Sequence, residues 1–167
     1  MTVIQKQKRS LFFGAFIIFI LSALFHFLYD TTGIFFTTFF SAINESVFQH
    51  IKITYFASLL YAFYLYYYIF EQDKSLIAGT FFGLSFIYIF IPTVFYGYTS
   101  LLGTHNLLID LLIAFLAGVG FLATNYIFVV HGYFKKQSVI FKYALIALTL
   151  FTSYFTYYPP NFEMFLG

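Results

Sequence analysis

The sequence predicts an all-α, polytopic membrane helix bundle with five transmembrane helices. The N-terminus lies inside, the C-terminus outside, and a short interfacial or re-entrant helix on the outer face joins the first two spans. Three observations predict this fold. Of 167 residues, 62% are hydrophobic and only 8% charged, whereas a water-facing surface carries about a quarter to a third charged residues. Five apolar runs approach the roughly 20 helical residues that cross a hydrocarbon core about 30 Å thick. No period-2 alternation with a polar lumen face repeats along them, as a membrane barrel would need.

The first span is Leu11 to Tyr29. Lys6, Lys8 and Arg9 precede it like the start of a signal peptide, but the apolar run is too long and lacks a small-x-small cleavage site, so it reads as an uncleaved span. The apolar piece Gly33 to Ile43 is too short to cross and reads as the outer-face helix. The remaining spans are Ser46 to Phe70, Leu76 to Tyr98, Leu107 to Val130, and Val139 to Tyr158. Pro92 is expected to kink the third of these, with neighbouring helices satisfying the freed carbonyl.

Placing the N-terminus inside puts Lys6, Lys8, Arg9, Lys74, Lys135, Lys136 and Lys142 on the cytoplasmic side and only Lys52 outside. That asymmetry decides orientation by the positive-inside rule. Tryptophan is absent, and tyrosines such as Tyr29, Tyr96, Tyr98, Tyr157 and Tyr158 are expected at headgroup depth. Residues 1–167 read as a single integral membrane domain, multi-pass in the cell membrane.

Composition also excludes function classes. The absence of cysteine removes thiol nucleophiles, iron–sulfur clusters and Cys-based zinc sites. A net charge of +2 is too small for a nucleic-acid surface, so no nucleic acid is expected as a partner. No glycine-rich phosphate loop occurs. The lipid bilayer is the expected partner, and any ATPase would be a separate membrane partner.

Against this apolar background the ionisable residues stand out, since each costs about 2.5–3.5 kcal/mol at mid-depth unless paired or wetted. His26 and Asp30 on the first span, Glu45, His50 and Lys52 around the second, and His105, Asn106 and Asp110 at the fourth all fall in one slab near the outer edge. Ser22, His26 and Asp30 are spaced by four and share a stripe; so do Ser46 and His50, and Asn106 and Asp110. Stripes of this kind face the bundle interior. Glu45 and His50, five apart, diverge by about 140° on a regular helix, so they reach one ion only if the helix starts irregularly there.

Plainer roles stand beside this reading. Asn44, Glu45 and Ser46 suit a helix N-terminal cap. Lys52 is expected to be the counter-ion of Glu45, Asp30 or Asp110, His105 can be solvated, and Tyr96 and Tyr98 can be interfacial anchors. The convergent reading makes His26, His50 and His105 metal ligands, Asp30, Glu45 and Asp110 catalytic carboxylates, and Asn44, Ser46, Lys52, Tyr96 and Asn106 ligand-binding groups. Imidazoles with carboxylates suit zinc or another divalent ion and a water acidified toward neutrality. The same groups could bind a polar solute or relay protons, and no HExxH or HxxxH spacing occurs.

The segments HFLYD (His26 to Asp30), SAINESVFQHIK (Ser41 to Lys52), FYGYT (Phe95 to Thr99) and YYPP (Tyr157 to Pro160) carry a resemblance. Over nearly the whole chain they resemble a family of small bacterial integral membrane proteins, mostly from Firmicutes, known by a domain-of-unknown-function label. Ala42 and Phe48 stand where that family's motif has Pro and Trp. The resemblance implies location, not activity. Ser22 with His26, and Asn44, Glu45 and Ser46 with His50, are also similar to the SxxxH and NES…H elements of zinc-dependent intramembrane hydrolases of the ceramidase and progestin-receptor superfamily. Here the order of elements is reversed, five helices replace seven, and the terminal HxxxH is missing. Three functions remain open on these grounds: hydrolysis of a lipid or lipid-linked substrate, a transport or solute-capture subunit, and an immunity or sensor protein.

Overall fold

The computed structural model describes residues 3–166, and among these the chain is all-helical with five α-helices and no strand. The side chains of Lys6 and Lys8, expected on the cytoplasmic side, lie outside the described residues. The helices are α1 (Val3–Thr32), α2 (Val47–Tyr64), α3 (Ser75–Leu102), α4 (Leu107–His131) and α5 (Ser138–Tyr157). Four segments are long and apolar enough to cross a membrane: Arg9–Thr32, Ser75–Leu102, Leu107–His131 and Lys135–Tyr157.

α2, the shortest of the five at 18 residues, is not among these segments and carries Gln49, His50 and Lys52 in its first turns. The fold places it at the centre. Residues on every side of α2 are buried, among them Phe48, Ile51, Lys52, Tyr55, Ala57 and Ser58, and α1, α3 and α4 all pack against it. Its end winds into a single π turn, Leu65–Ile69, closed by the Phe70 amide donating to the Leu65 carbonyl at 2.9 Å.

The outward surface is inverted relative to a water-soluble protein. Phe12, Ile20 and Leu24 on α1, Ile89 on α3, Leu112 on α4 and Leu150 on α5 are all exposed, while hydroxyls and amides pair inside. Tyr55 bonds Thr149 at 2.7 Å and Tyr88 bonds Thr152 at 2.5 Å, tying α5 to α2 and α3. Hydroxyls paired inside and apolar side chains outside are the arrangement that hydrocarbon would favour, since an unsatisfied polar group there costs several kcal/mol.

α3 and α4 form the closest pair. Gly79 and Gly83 on α3 lie against Asn125, Phe128 and Phe121 of α4, so close that an added Cβ would fall 3.1 Å from the Asn125 Cα and 2.7 Å from the Phe121 ring. Small residues permit such backbone approach between membrane helices. Fully buried Asn125 then accepts from the Thr80 hydroxyl at 3.0 Å and donates to the Phe121 carbonyl at 2.9 Å. α3 runs unbroken through Pro92.

At one end of the bundle Asp73, just before α3, accepts from Lys135 at 2.9 Å and from the Ser75 hydroxyl at 2.7 Å. Partial burial works against its charge. The bonds from Lys135 and Ser75 outweigh that burial and hold the carboxyl below its ordinary 3.8. A depressed carboxylate stabilises the fold above its unfolded pKa, and that contribution is lost as pH falls through the folded value. The pair is partly exposed, so about 0.5–1 kcal/mol is at stake. Thermal unfolding in detergent should therefore show a small loss of wild-type stability below the ordinary carboxylate range. Asp73→Asn should lack this acid-side step and be weaker by that amount at pH 7.

The connection between α1 and α2 is a covering segment, packed in part onto the bundle, with Ile34, Phe35 and Phe36 exposed. Gly33, at φ +62, turns the chain out of α1, and a 3₁₀ helix spans Phe35–Phe39 where the sequence predicts a short non-crossing helix. Thr37, Thr38, Ser41 and Ala42 are buried. The Ala42 amide donates to the Phe25 carbonyl at 3.2 Å, and Thr38 bonds the Tyr157 hydroxyl at 2.8 Å. This segment carries Glu45 to the start of α2.

Candidate metal centre

Glu45 and His50 meet because α2 begins irregularly, as the phase argument requires. Ser46 is the N-cap in extended conformation, and its hydroxyl accepts from the Gln49 amide at 3.4 Å. Helical geometry starts only at Val47, so Glu45 is free of the helix phase. Asn44 supports the cap by accepting from the Ser46 amide at 3.1 Å. The capping role and the convergence of side chains are thus one arrangement.

His26 Nε2 lies 3.4 Å from Glu45 Oε2, and His50 Nε2 lies 3.7 Å from the same oxygen. The two imidazole centroids are 5.3 Å apart, and one donor atom from each of the three residues falls within 4.8 Å of the others. His50 Nδ1 is 3.0 Å from the Ser46 carbonyl. A carbonyl only accepts, so Nδ1 carries a proton, which leaves Nε2 as the ring nitrogen that can offer a lone pair to an ion. A backbone carbonyl on the remote nitrogen is the usual orienting partner of a metal-ligating histidine. His26 Nδ1 is buried with no hydrogen-bond partner among the described residues.

His105 does not join this trio. Its Nδ1 lies 3.4 Å from Asp110 Oδ2, and the other Asp110 oxygen accepts the Tyr98 hydroxyl. Tyr98 in turn accepts from the Asn106 amide at 3.0 Å. Asn106 caps α4, taking the amides of Leu108 and Ile109 on its side-chain oxygen. The sequence treats Tyr98 as an interfacial anchor. The short α3–α4 turn, which folds the end of one helix beside the start of the next, is the signal that could have paired it with Asp110.

Both groups line one cavity of about 480 Å³ between α1, α2, α3 and α4. Six other candidates are not among its lining residues: Asn44, Ser46 and Asn106 act as capping groups, and Asp30, Tyr96 and Lys52 lie apart. Asp30 is exposed, and its side chain makes no ion pair or hydrogen bond among the described residues. Tyr96 does not line the cavity, and its hydroxyl is buried without a partner there. Lys52 is fully buried, yet it is not the counter-ion of Glu45, Asp30 or Asp110. Its ammonium donates to the Thr38 carbonyl at 2.9 Å. The cover segment folds back over α2 and offers that carbonyl nearer than any carboxylate. Lys52 thereby fastens the segment that ends in Glu45.

Chemically, two imidazoles and a carboxylate form a donor set used by catalytic zinc sites, which leave a further position open. Glu45 is 71% exposed on its side chain, so the cluster is reachable from outside the bundle. Neither the curated proteins nor the solved structures yield a match to the chain. The sequence model of the family of unknown function DUF6512 matches residues 1–167, and the chain belongs to that family.

Proposed function

We propose that this chain is a five-span protein of the bacterial cytoplasmic membrane, N-terminus inside, in which His26, Glu45 and His50 hold a divalent ion and support hydrolysis of a lipid or lipid-linked substrate near the outer leaflet. The carrying observation is the pair of separations at Glu45. At 3.4 and 3.7 Å they exceed the N–H···O range of about 2.7–3.2 Å. Ligand atoms set about 2.0–2.1 Å from a tetrahedral zinc lie roughly 3.3–3.4 Å from one another, so the two edges at Glu45 come close to that geometry, while the set as a whole, within 4.8 Å, has to contract to close on an ion.

A bound ion supplies a Lewis acid that polarises a carbonyl or phosphoryl oxygen and brings a water's pKa toward neutrality. The chain's own residues do the rest. Ser46 orients His50, Lys52 fastens the segment bearing Glu45, and Asp110 with His105 can take and return a proton across the cavity. The NES…H likeness to zinc-dependent intramembrane hydrolases points the same way. Five spans fit because the polar first half of α2 is packed inside helices apolar enough to cross, while Leu60 and Phe63 of its second half are exposed like their surfaces. Elemental analysis of detergent-purified protein tests the centre. Stoichiometric zinc that a chelator removes from wild type, and that Glu45→Gln retains poorly, is expected. Protein that stays metal-free after incubation with zinc would defeat the reading.

A further inference from the structure

The geometry points to a substrate class: a single-chain membrane amphiphile with a neutral or zwitterionic head, entering sideways between α1 and α4. This rests on the site proposed above but is carried by the shape and charge of the cavity. Eleven of its eighteen lining residues are apolar, and the seven polar ones include both histidine–carboxylate groups. A volume near 480 Å³ lies within the roughly 300–1,000 Å³ of small-molecule sites, which suits one chain and a head rather than a two-chain lipid.

The apolar part has a direction. α1 and α4 run antiparallel, with Ile18 packed on Gly118 and the rings of Phe16 and Phe115 at 5.2 Å. Ile18 is eight residues from His26, and Gly118 is eight from Asp110, so the contact closes both helices about 12 Å from the polar groups. Above that closure the two helices leave a slot. Phe27, Leu107 and Leu111 line the cavity yet are 60%, 68% and 42% exposed. The slot is therefore continuous with the apolar surface that faces lipid, and a chain can slide into it without crossing water. A water-soluble ligand gains nothing from such an opening.

Charge selects the head. Glu45 and Asp110 line the cavity, and no lysine or arginine does. Lys52, the nearest cation by sequence, is spent on the Thr38 carbonyl. With a divalent ion bound, the fixed charges of the ion and the two carboxylates balance, so a net anionic head finds no excess positive charge.

Photolabelling of the full chain in detergent with a diazirine-tagged lysophosphatidylcholine tests the slot. The expected result is saturable labelling mapped to residues 19–27 of α1 and 107–114 of α4. Competition should be stronger by unlabelled lysophosphatidylcholine than by lysophosphatidate. Ala114→Trp, or Ala23→Trp if the first fails to fold, should cut labelling by about tenfold, equivalent to about 1.4 kcal/mol, with zinc content unchanged. Labelling spread evenly over lipid-facing residues, including Ile146 and Leu150 of α5, and indifferent to both variants would overturn the slot even in zinc-loaded protein. Saturable α1–α4 labelling of protein that holds no metal would support the slot while removing the hydrolase reading, so the two failures are distinct.

Discussion

Zinc at a thousandfold excess over its dissociation constant is expected to stabilise the wild-type chain by about 4 kcal/mol, because a ligand that binds only the folded state adds RT ln(1 + [L]/Kd). His26→Ala with His50→Ala should abolish that gain completely. The double substitution is the informative one. Either imidazole alone leaves the other and Glu45 in place, and two donors can still retain an ion weakly. The size of the effect comes from the distribution of the ligands along the chain. His26 sits on α1, His50 on α2, and Glu45 on the covering segment between them, so an ion ties three separate parts that unfolding must pull apart. His131→Ala is the control. Its ring stacks on Tyr133, its Nδ1 is taken by the Ile127 carbonyl at 2.9 Å, and it lies at the opposite end of α4. Thermal unfolding in detergent with and without zinc, under conditions where the scan is reversible, reads all three proteins. Equal stabilisation of wild type and double variant would mean that zinc binds elsewhere.

The helices of this fold are legible because long apolar runs select helix, and four of the five come out long and apolar enough to cross a membrane. The site is legible in part, and the limits are physical. The depth of His26, His50 and Glu45 follows from counting helical rise. Whether their side chains meet depends on where α2 begins, and the Asn44–Glu45–Ser46 cap holds that information in a form the helical wheel cannot express. Lys52 shows a second limit. Its partner is the Thr38 carbonyl, and a backbone acceptor has no residue type by which to find it. Tyr98 shows a third, since one ring can anchor at headgroups and still donate to Asp110. Polar residues near membrane interfaces have more than one satisfactory use, and only the relative placement of helices chooses among them.

That placement rests on the contact between α3 and α4, and Gly79→Leu should damage that contact. An added Cβ at Gly79 would stand 3.0 Å from the Phe128 Cβ and 3.1 Å from the Asn125 Cα. Neither atom belongs to the far end of a flexible side chain, so the helices themselves must separate. Separation breaks more than van der Waals contact. The Thr80 hydroxyl and the Asn125 side chain are held together at 3.0 Å with Asn125 fully buried, and a buried polar group that loses its partner costs about 1–3 kcal/mol. Overpacking commonly costs about 1–3 kcal/mol, and the stranded amide places this variant at the upper end, about 3 kcal/mol. Gly97→Ala on the same helix is the matched control. Its added Cβ meets nothing within 4 Å, and exchange of a helical glycine for alanine gains about 0.5–1 kcal/mol. Denaturation in mixed detergent should order the proteins Gly97→Ala, wild type, Gly79→Leu from most to least stable. α3 and α4 also hold Tyr98 against Asp110 at the cavity wall, so the same separation should loosen that wall while leaving His26, Glu45 and His50, carried by α1 and α2, able to bind zinc. A Gly79→Leu protein as stable as wild type would show that the α3–α4 spacing is set by something other than the small residues between them.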